Sequence, residues 1–233
     1  MKKILLSAAC AAAFGAAPAL AQDGGESPWG ISGTFGVVSD YLFRGISQTQ
    51  GDAAIQASFT VSHDSGFYGT VWGSNVDFGD ETDFELDFTL GYGGAINDST
   101  TFDVNVTYYA YPNEPNGADY GYFELIGGIT HDLGNGLSLG AKIAYTPENF
   151  GDTGTAYAVS GNATYAVAEW LSVSANLGYQ ALDDNFYAES GYIYYDVGAT
   201  VYYGILGLDI RYVATDSDVV NDDKIVGSAI FTF

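Results

Sequence analysis

Apolar residues recur at every second position along almost the whole chain, and that period limits what it can become. Phe84, Leu86, Phe88, Leu90 and Tyr92 alternate with Asp83, Glu85, Asp87, Thr89 and Gly91. One face of that segment is apolar and the other carries three carboxylates. The same alternation runs through Phe102–Tyr108, Ile55–Val61 and Leu171–Tyr179. Successive side chains of a β-strand point to opposite faces, so this is a strand pattern, and sustained helical periodicity is nearly absent.

No stretch after the first 21 residues holds 18 consecutive apolar residues, which excludes a membrane helix there. A sheet in hydrocarbon must close on itself, because an open edge would leave backbone groups without partners. The alternating runs predict about twelve strands. They fall near 31–42, 54–63, 67–78, 83–92, 100–111, 120–131, 137–145, 156–167, 171–180, 192–201, 205–213 and 225–233. Short connections near 64–66, 93–99, 132–136, 168–170 and 202–204 alternate with longer polar ones at 43–53, 112–119, 146–155, 181–191 and 214–224. The connection at 79–82 breaks the rule by being short. Short turns alternating with long loops are the pattern of an outer-membrane barrel with periplasmic turns and extracellular loops. The expected fold is therefore all-β, a single antiparallel transmembrane barrel with both termini periplasmic.

The N-terminus agrees with that compartment. Lys2 and Lys3 precede an apolar run, Ile4–Phe14, and Ala19-Leu20-Ala21 supplies an A-x-A cleavage site ahead of Gln22. Residues 1–21 read as a signal peptide, 22–30 as a short periplasmic segment and 31–233 as the barrel. Cys10 lies inside the apolar run and leaves with it. The remaining chain has no cysteine, which excludes disulfides, thiol catalysis and zinc–thiolate sites. It has four basic residues against 29 acidic ones, and a net charge of −25 argues against phosphate contacts with nucleic acid.

At the other end, Ile225, Gly227, Ala229, Phe231 and Phe233 make an alternating last strand closing on an aromatic residue, the form the barrel-assembly machinery is thought to read. Aromatic residues gather at strand ends (Tyr41, Phe67, Tyr68, Tyr92, Tyr108, Tyr145, Tyr165, Trp170, Tyr179, Tyr202 and Tyr212), as interfacial girdles require. A secreted β-sandwich accounts for the alternation but not for these end features.

The segment Val38-Ser39-Asp40-Tyr41-Leu42-Phe43-Arg44-Gly45-Ile46-Ser47-Gln48-Thr49 resembles the opening motif of the TorF-type porins, the Gcw_chp family. The likeness continues through Ile55-Gln56, Ser65-Gly66-Phe67-Tyr68, Trp72-Gly73-Ser74-Asn75, Glu85-Leu86-Asp87, Tyr109-Ala110-Tyr111-Pro112 and Tyr122-Phe123-Glu124. It covers about the first half of the chain beyond the signal segment. It implies an outer-membrane channel protein and no particular substrate.

Apolar parity on each strand marks the lipid face, and the opposite parity lines the lumen. Ile31, Phe35 and Val37 point outward, which turns Asp40 and Arg44 inward if the first strand runs that far. Glu85, Asp87, Asp103, Glu124, Lys142, Asp196, Asp209 and Arg211 point inward by the same rule. Carboxylates outnumber bases on this wall, and acidic rings favour cations. The expected function is passive diffusion of small solutes, with a preference for cations. The alternative is a closed structural or surface-interaction barrel, in which Arg44 and Arg211 pair with the acids and Tyr109, Tyr111, Tyr122 and Tyr194 fill the interior.

An enzyme would need a nucleophile, a base and an orienting group together. His63 and His131 sit at strand ends without such a motif, and Glu85 and Asp87 read as selectivity charges. No catalytic residue, cofactor or metal is expected. Asp216, Asp218, Asp222, Asp223 and the pair Asp183-Asp184 do not have the spacing of a calcium loop. The expected partners are outer-membrane lipid and lipopolysaccharide, the assembly machinery at the strand ending in Phe233, and small solutes or cations.

Overall fold

A computed structural model describes residues 27–183, 190–217 and 223–233. The signal segment with its cleavage site, and Asp184, Asp218 and Asp222, lie outside the described residues.

Twelve strands form the wall: β1 (Trp29–Val38), β4 (Ala54–His63), β5 (Phe67–Asn75), β6 (Phe84–Asn97), β7 (Thr100–Ala110), β8 (Tyr122–Asp132), β9 (Leu137–Thr146), β10 (Ala156–Ala168), β11 (Leu171–Leu182), β12 (Gly191–Tyr203), β13 (Leu206–Thr215) and β14 (Lys224–Thr232). Each pairs antiparallel with its neighbours in chain order, and β14 returns to β1, closing the barrel. The closing seam is short on one side. β1 pairs with β4 over its whole length, but with β14 only from Thr34 to Val38, against Ser228–Thr232. Gly33 and Phe233 extend the seam by exchanging backbone hydrogen bonds of 2.9 and 3.1 Å.

Strands of nine to fourteen residues reach across a hydrocarbon core when tilted. Their outward parity is apolar: Ile31, Leu90, Ile143, Leu177 and Ile210 are each 60 % exposed or more. In water such a continuous apolar exterior would be an aggregation surface, whereas in lipid it is the ordinary one. The inward parity holds the buried polar residues Thr60, Thr107, Thr200, Gln180 and Ser172.

The predicted strands recur with two informative differences. β1 stops at Val38 rather than running to 42, and β5 stops at Asn75 rather than 78. The second difference lengthens the connection before β6 to residues 76–83, which removes the apparent exception to the loop rule. The wall therefore has one end with short turns, where the chain enters at Trp29 and finishes at Phe233, and one with long loops. The girdle assignment needs correction at three positions. Tyr41 is buried against Trp72, at 5.4 Å between ring centroids. Tyr68 turns inward and donates to Asp103 (2.8 Å), and Tyr202 lies beside the Ser172 hydroxyl (3.2 Å). Residues 67 and 203, one position away, take the outward parity instead.

Candidate functional site

The stretch most distinctive in sequence does not belong to the wall. After Val38 the chain turns into a small hairpin, β2 (Leu42–Phe43) and β3 (Ile46–Ser47), joined by Arg44-Gly45. Both turn residues have positive φ, 48° and 84°, as a two-residue type I′ turn demands. Gly45 has a second reason to lack a side chain, because a Cβ there would collide with the Thr215 methyl group. Asp40 anchors the base of the hairpin. Its carboxylate accepts hydrogen bonds from Ser47 Oγ (2.5 Å), Thr49 Oγ1 (3.0 Å) and Lys224 Nζ (2.7 Å).

Arg44 carries the hairpin tip across the barrel. Its guanidinium donates to both oxygens of Glu124 on β8 (2.7 and 2.8 Å) and to Gln180 Oε1 on β11 (2.7 Å). Glu124 also accepts from the hydroxyls of Tyr109 (3.0 Å) and Thr146 (3.2 Å), and is almost wholly buried. One guanidinium nitrogen, Nη2, straddles both Glu124 oxygens while Nη1 reaches Gln180, so the two ends of the planar group tie β8 to β11. Arg44 thus faces the interior, as parity suggested, but from a hairpin tip and not from the first strand.

The other inward residues form separate groups. Arg211 on β13 pairs with Asp196 on β12, and donates to Asp209 (3.2 and 3.3 Å) and Ser174 (3.0 Å). Thr200 donates to Asp209 as well (2.8 Å). Asp103 on β7 accepts from Tyr68 and from Asn105 (2.7 Å). Lys142 takes the inward parity of β9, between the exposed Ala141 and Ile143. Glu85 and Asp87 stand on one face of β6, and both are buried. Tyr111 donates to Glu85 Oε1 (3.2 Å), whereas Glu85 Oε2 and both oxygens of Asp87 have no hydrogen-bond partner. The interior tyrosines Tyr109, Tyr111, Tyr122 and Tyr194 are all buried.

A cavity of about 390 Å³ opens among the long loops above the hairpin, with Arg44, Glu85 and Gln180 in its lining. Its walls include Phe78, Tyr120 and Phe150, of which the last two stack at 4.3 Å. Asp80 lies at the rim, where the Thr82 backbone N–H holds its carboxyl below the usual carboxylate range, and Tyr120 donates to it (2.8 Å). His63 and His131 are at the opposite end, against the hydroxyls of Ser65 (2.7 Å) and Thr100 (2.9 Å). Among the loop acids, Asp216 accepts from the Ile193 N–H and Asp223 from the Tyr212 hydroxyl. No group of three or more His, Cys, Asp or Glu residues that could hold a metal occurs among the described residues.

Sequence reasoning overlooked Lys224 and Gln180, and it placed Tyr109 and Tyr111 inside as filling, not as donors to Glu124 and Glu85. Lys224 has the inward parity of the last strand, opposite Ile225, so a signal was present. Gln180 also has inward parity, but nothing in it says that Arg44 joins it to Glu124.

A closed twelve-stranded barrel with an apolar exterior and a charged interior defines a transmembrane β-barrel of the bacterial outer-membrane class. Within that class the chain belongs to the Gcw_chp family, described as a bacterial protein of unknown function, whose model matches residues 22–228. The family match thus extends well beyond the motifs of the first half, and its description carries no TorF label. Among solved structures, the KdgM porin in complex with disordered oligogalacturonate is similar at a TM-score of 0.60 with 8 % identity, covering 87 % of this chain and 98 % of that one. LpxR from Salmonella typhimurium is similar at 0.53 with 11 % identity, covering 87 % and 99 %. Both likenesses concern the fold. No curated protein matches the sequence.

Proposed function

We propose that this barrel is a porin-like outer-membrane channel for passive diffusion of small solutes, with a preference for cations. The observation that carries the reading is the imbalance of the interior wall. The interior carries seven acidic side chains, Asp40, Glu85, Asp87, Asp103, Glu124, Asp196 and Asp209, against four basic ones, Arg44, Lys142, Arg211 and Lys224. A lumen of this sign attracts cations and repels anions. It is a poor match for a polyanionic sugar such as the oligogalacturonate bound by the KdgM porin. The end with short turns and both chain ends faces the periplasm, and the long loops face outward. The apolar belt meets outer-membrane lipid and lipopolysaccharide, and the last strand, ending at Phe233, is the segment handed to the assembly machinery.

A second reading has its own observation: the β2–β3 hairpin lies across the lumen and is tied to the far wall through Glu124 and Gln180. On that reading the barrel is closed. Planar-bilayer recording of the refolded protein under a salt gradient separates the two. The channel reading expects discrete conductance steps and a reversal potential of cation sign. An absence of steps supports the closed barrel, and an anion-sign potential overturns the cation preference.

A further inference from the structure

The interior carboxylates are not equivalent. Asp40, Asp103, Glu124, Asp196 and Asp209 each accept from a base or a polar hydrogen-bond donor of the chain. Glu85 Oε2 and both Asp87 oxygens accept from none, although each side chain is at least 98 % buried. Buried carboxylate oxygens are costly without donors. Among the described residues, these are the buried carboxylate oxygens that form no hydrogen bond of normal geometry, and the buried Tyr41 hydroxyl beside Glu85 is likewise without one.

Glu85 also lines the cavity above the hairpin. At about 390 Å³ the cavity falls within the ~300–1,000 Å³ range of small-molecule sites, and such sites combine apolar walls with a few placed polar groups. Here Phe43, Phe78, Tyr111, Tyr122 and Phe150 supply aromatic surface around the carboxylate. Ring faces attract a cation by their quadrupole, and the charged Asp80 at the rim adds to the same field. The cavity therefore joins aromatic surface to one carboxylate, Glu85, whose Oε2 accepts no hydrogen bond, while the Arg44 charge in the same lining is taken up by Glu124. A quaternary ammonium satisfies only the aromatic surface, because it has no N–H to give.

We infer that this cavity is a binding site for small primary ammonium ions with an apolar body, the ammonium donating to Glu85 and the body lying against Phe78 and Phe150. The inference deepens the cation-preferring reading and rests on it for the solute's route. Occupancy itself does not require conduction, so it is tested separately.

The test is calorimetric titration of the refolded full chain in detergent with phenethylammonium, using phenethyl alcohol and phenylacetate as neutral and anionic controls. Saturable one-site binding of the ammonium alone is expected. Glu85→Gln should weaken it about tenfold or more, the scale of one charge-assisted hydrogen bond. Phe150→Leu, a loop substitution away from the wall, should weaken it several-fold and keeps the test valid if Glu85→Gln fails to refold. Equal binding of the three probes, an unchanged affinity in both variants, or no saturable binding would overturn the site. A bilayer result without conductance would bear on the channel reading and leave this titration standing.

Discussion

At the scale of single residues, the Arg44–Glu124 pair carries the most consequence. Glu124 is buried, and its two oxygens are held by the guanidinium and two hydroxyls. Removing the arginine leaves an uncompensated carboxylate inside the barrel, which costs about 3 kcal/mol when such a pair is broken from one side. Arg44→Ala should therefore lower the unfolding free energy of the refolded protein, measured by urea titration, by that amount, and Arg44→Ala with Glu124→Gln should recover part of it. The sequence made half of this visible. Parity put Glu124 inside because Phe123 and Leu125 face lipid, and the same rule found Asp196 and Asp209. Parity carries no information about reach across the lumen. The partner of Glu124 is separated from it by 80 residues, and only the backbone at Arg44-Gly45 brings them together.

At the scale of elements, long alternating runs were legible and short ones were not. Ala54–His63 is a strand with the bounds its alternation gave, because one side must meet lipid and the other cannot. β2 and β3 have two residues each, too few for a period to be visible, and they lie in a stretch that reads as a polar loop. The signal that could have found them is the Arg-Gly pair, a residue pair compatible with a hairpin turn when glycine takes the second place. That turn also provides a test of what the hairpin does. Gly45→Val places a branched side chain at φ 84° and against Thr215, so the tip should withdraw from the far wall. Single-channel recording should then show larger conductance steps than the parent protein. Unchanged steps would mean that the hairpin does not limit the path.

At the scale of the whole molecule, the apolar exterior is the feature every strand contributes to. Leu90 is 69 % exposed in the middle of β6, between the inward-parity residues Thr89 and Gly91. Leu90→Arg should destabilise the membrane-inserted barrel by roughly 2–4 kcal/mol, the cost of a cation at mid-depth on the lipid face. Denaturant-dependent folding into lipid vesicles measures it, and Thr89→Arg, toward the lumen, should cost less. This belt and the strand number were foreseeable from the period of two, and the closure from the alternating loops, the aromatic strand ends and the terminal Phe233. The positions of the charged groups along the lumen were not, since they depend on how neighbouring strands are staggered.

The asymmetric seam between the first and last strands has one further consequence. β1 runs on through Trp29–Ser32 past the point where β14 ends, and Phe233 already exchanges hydrogen bonds with Gly33. A peptide appended after Phe233 would emerge in line with that edge, which no described strand beyond β14 covers. Residues of alternating character would be drawn along it as a continuation of the last strand, whereas a proline-rich appendage lacks the N–H groups to follow and would hang clear. The choice of a purification tag for this protein is therefore also a choice about how far its sheet extends.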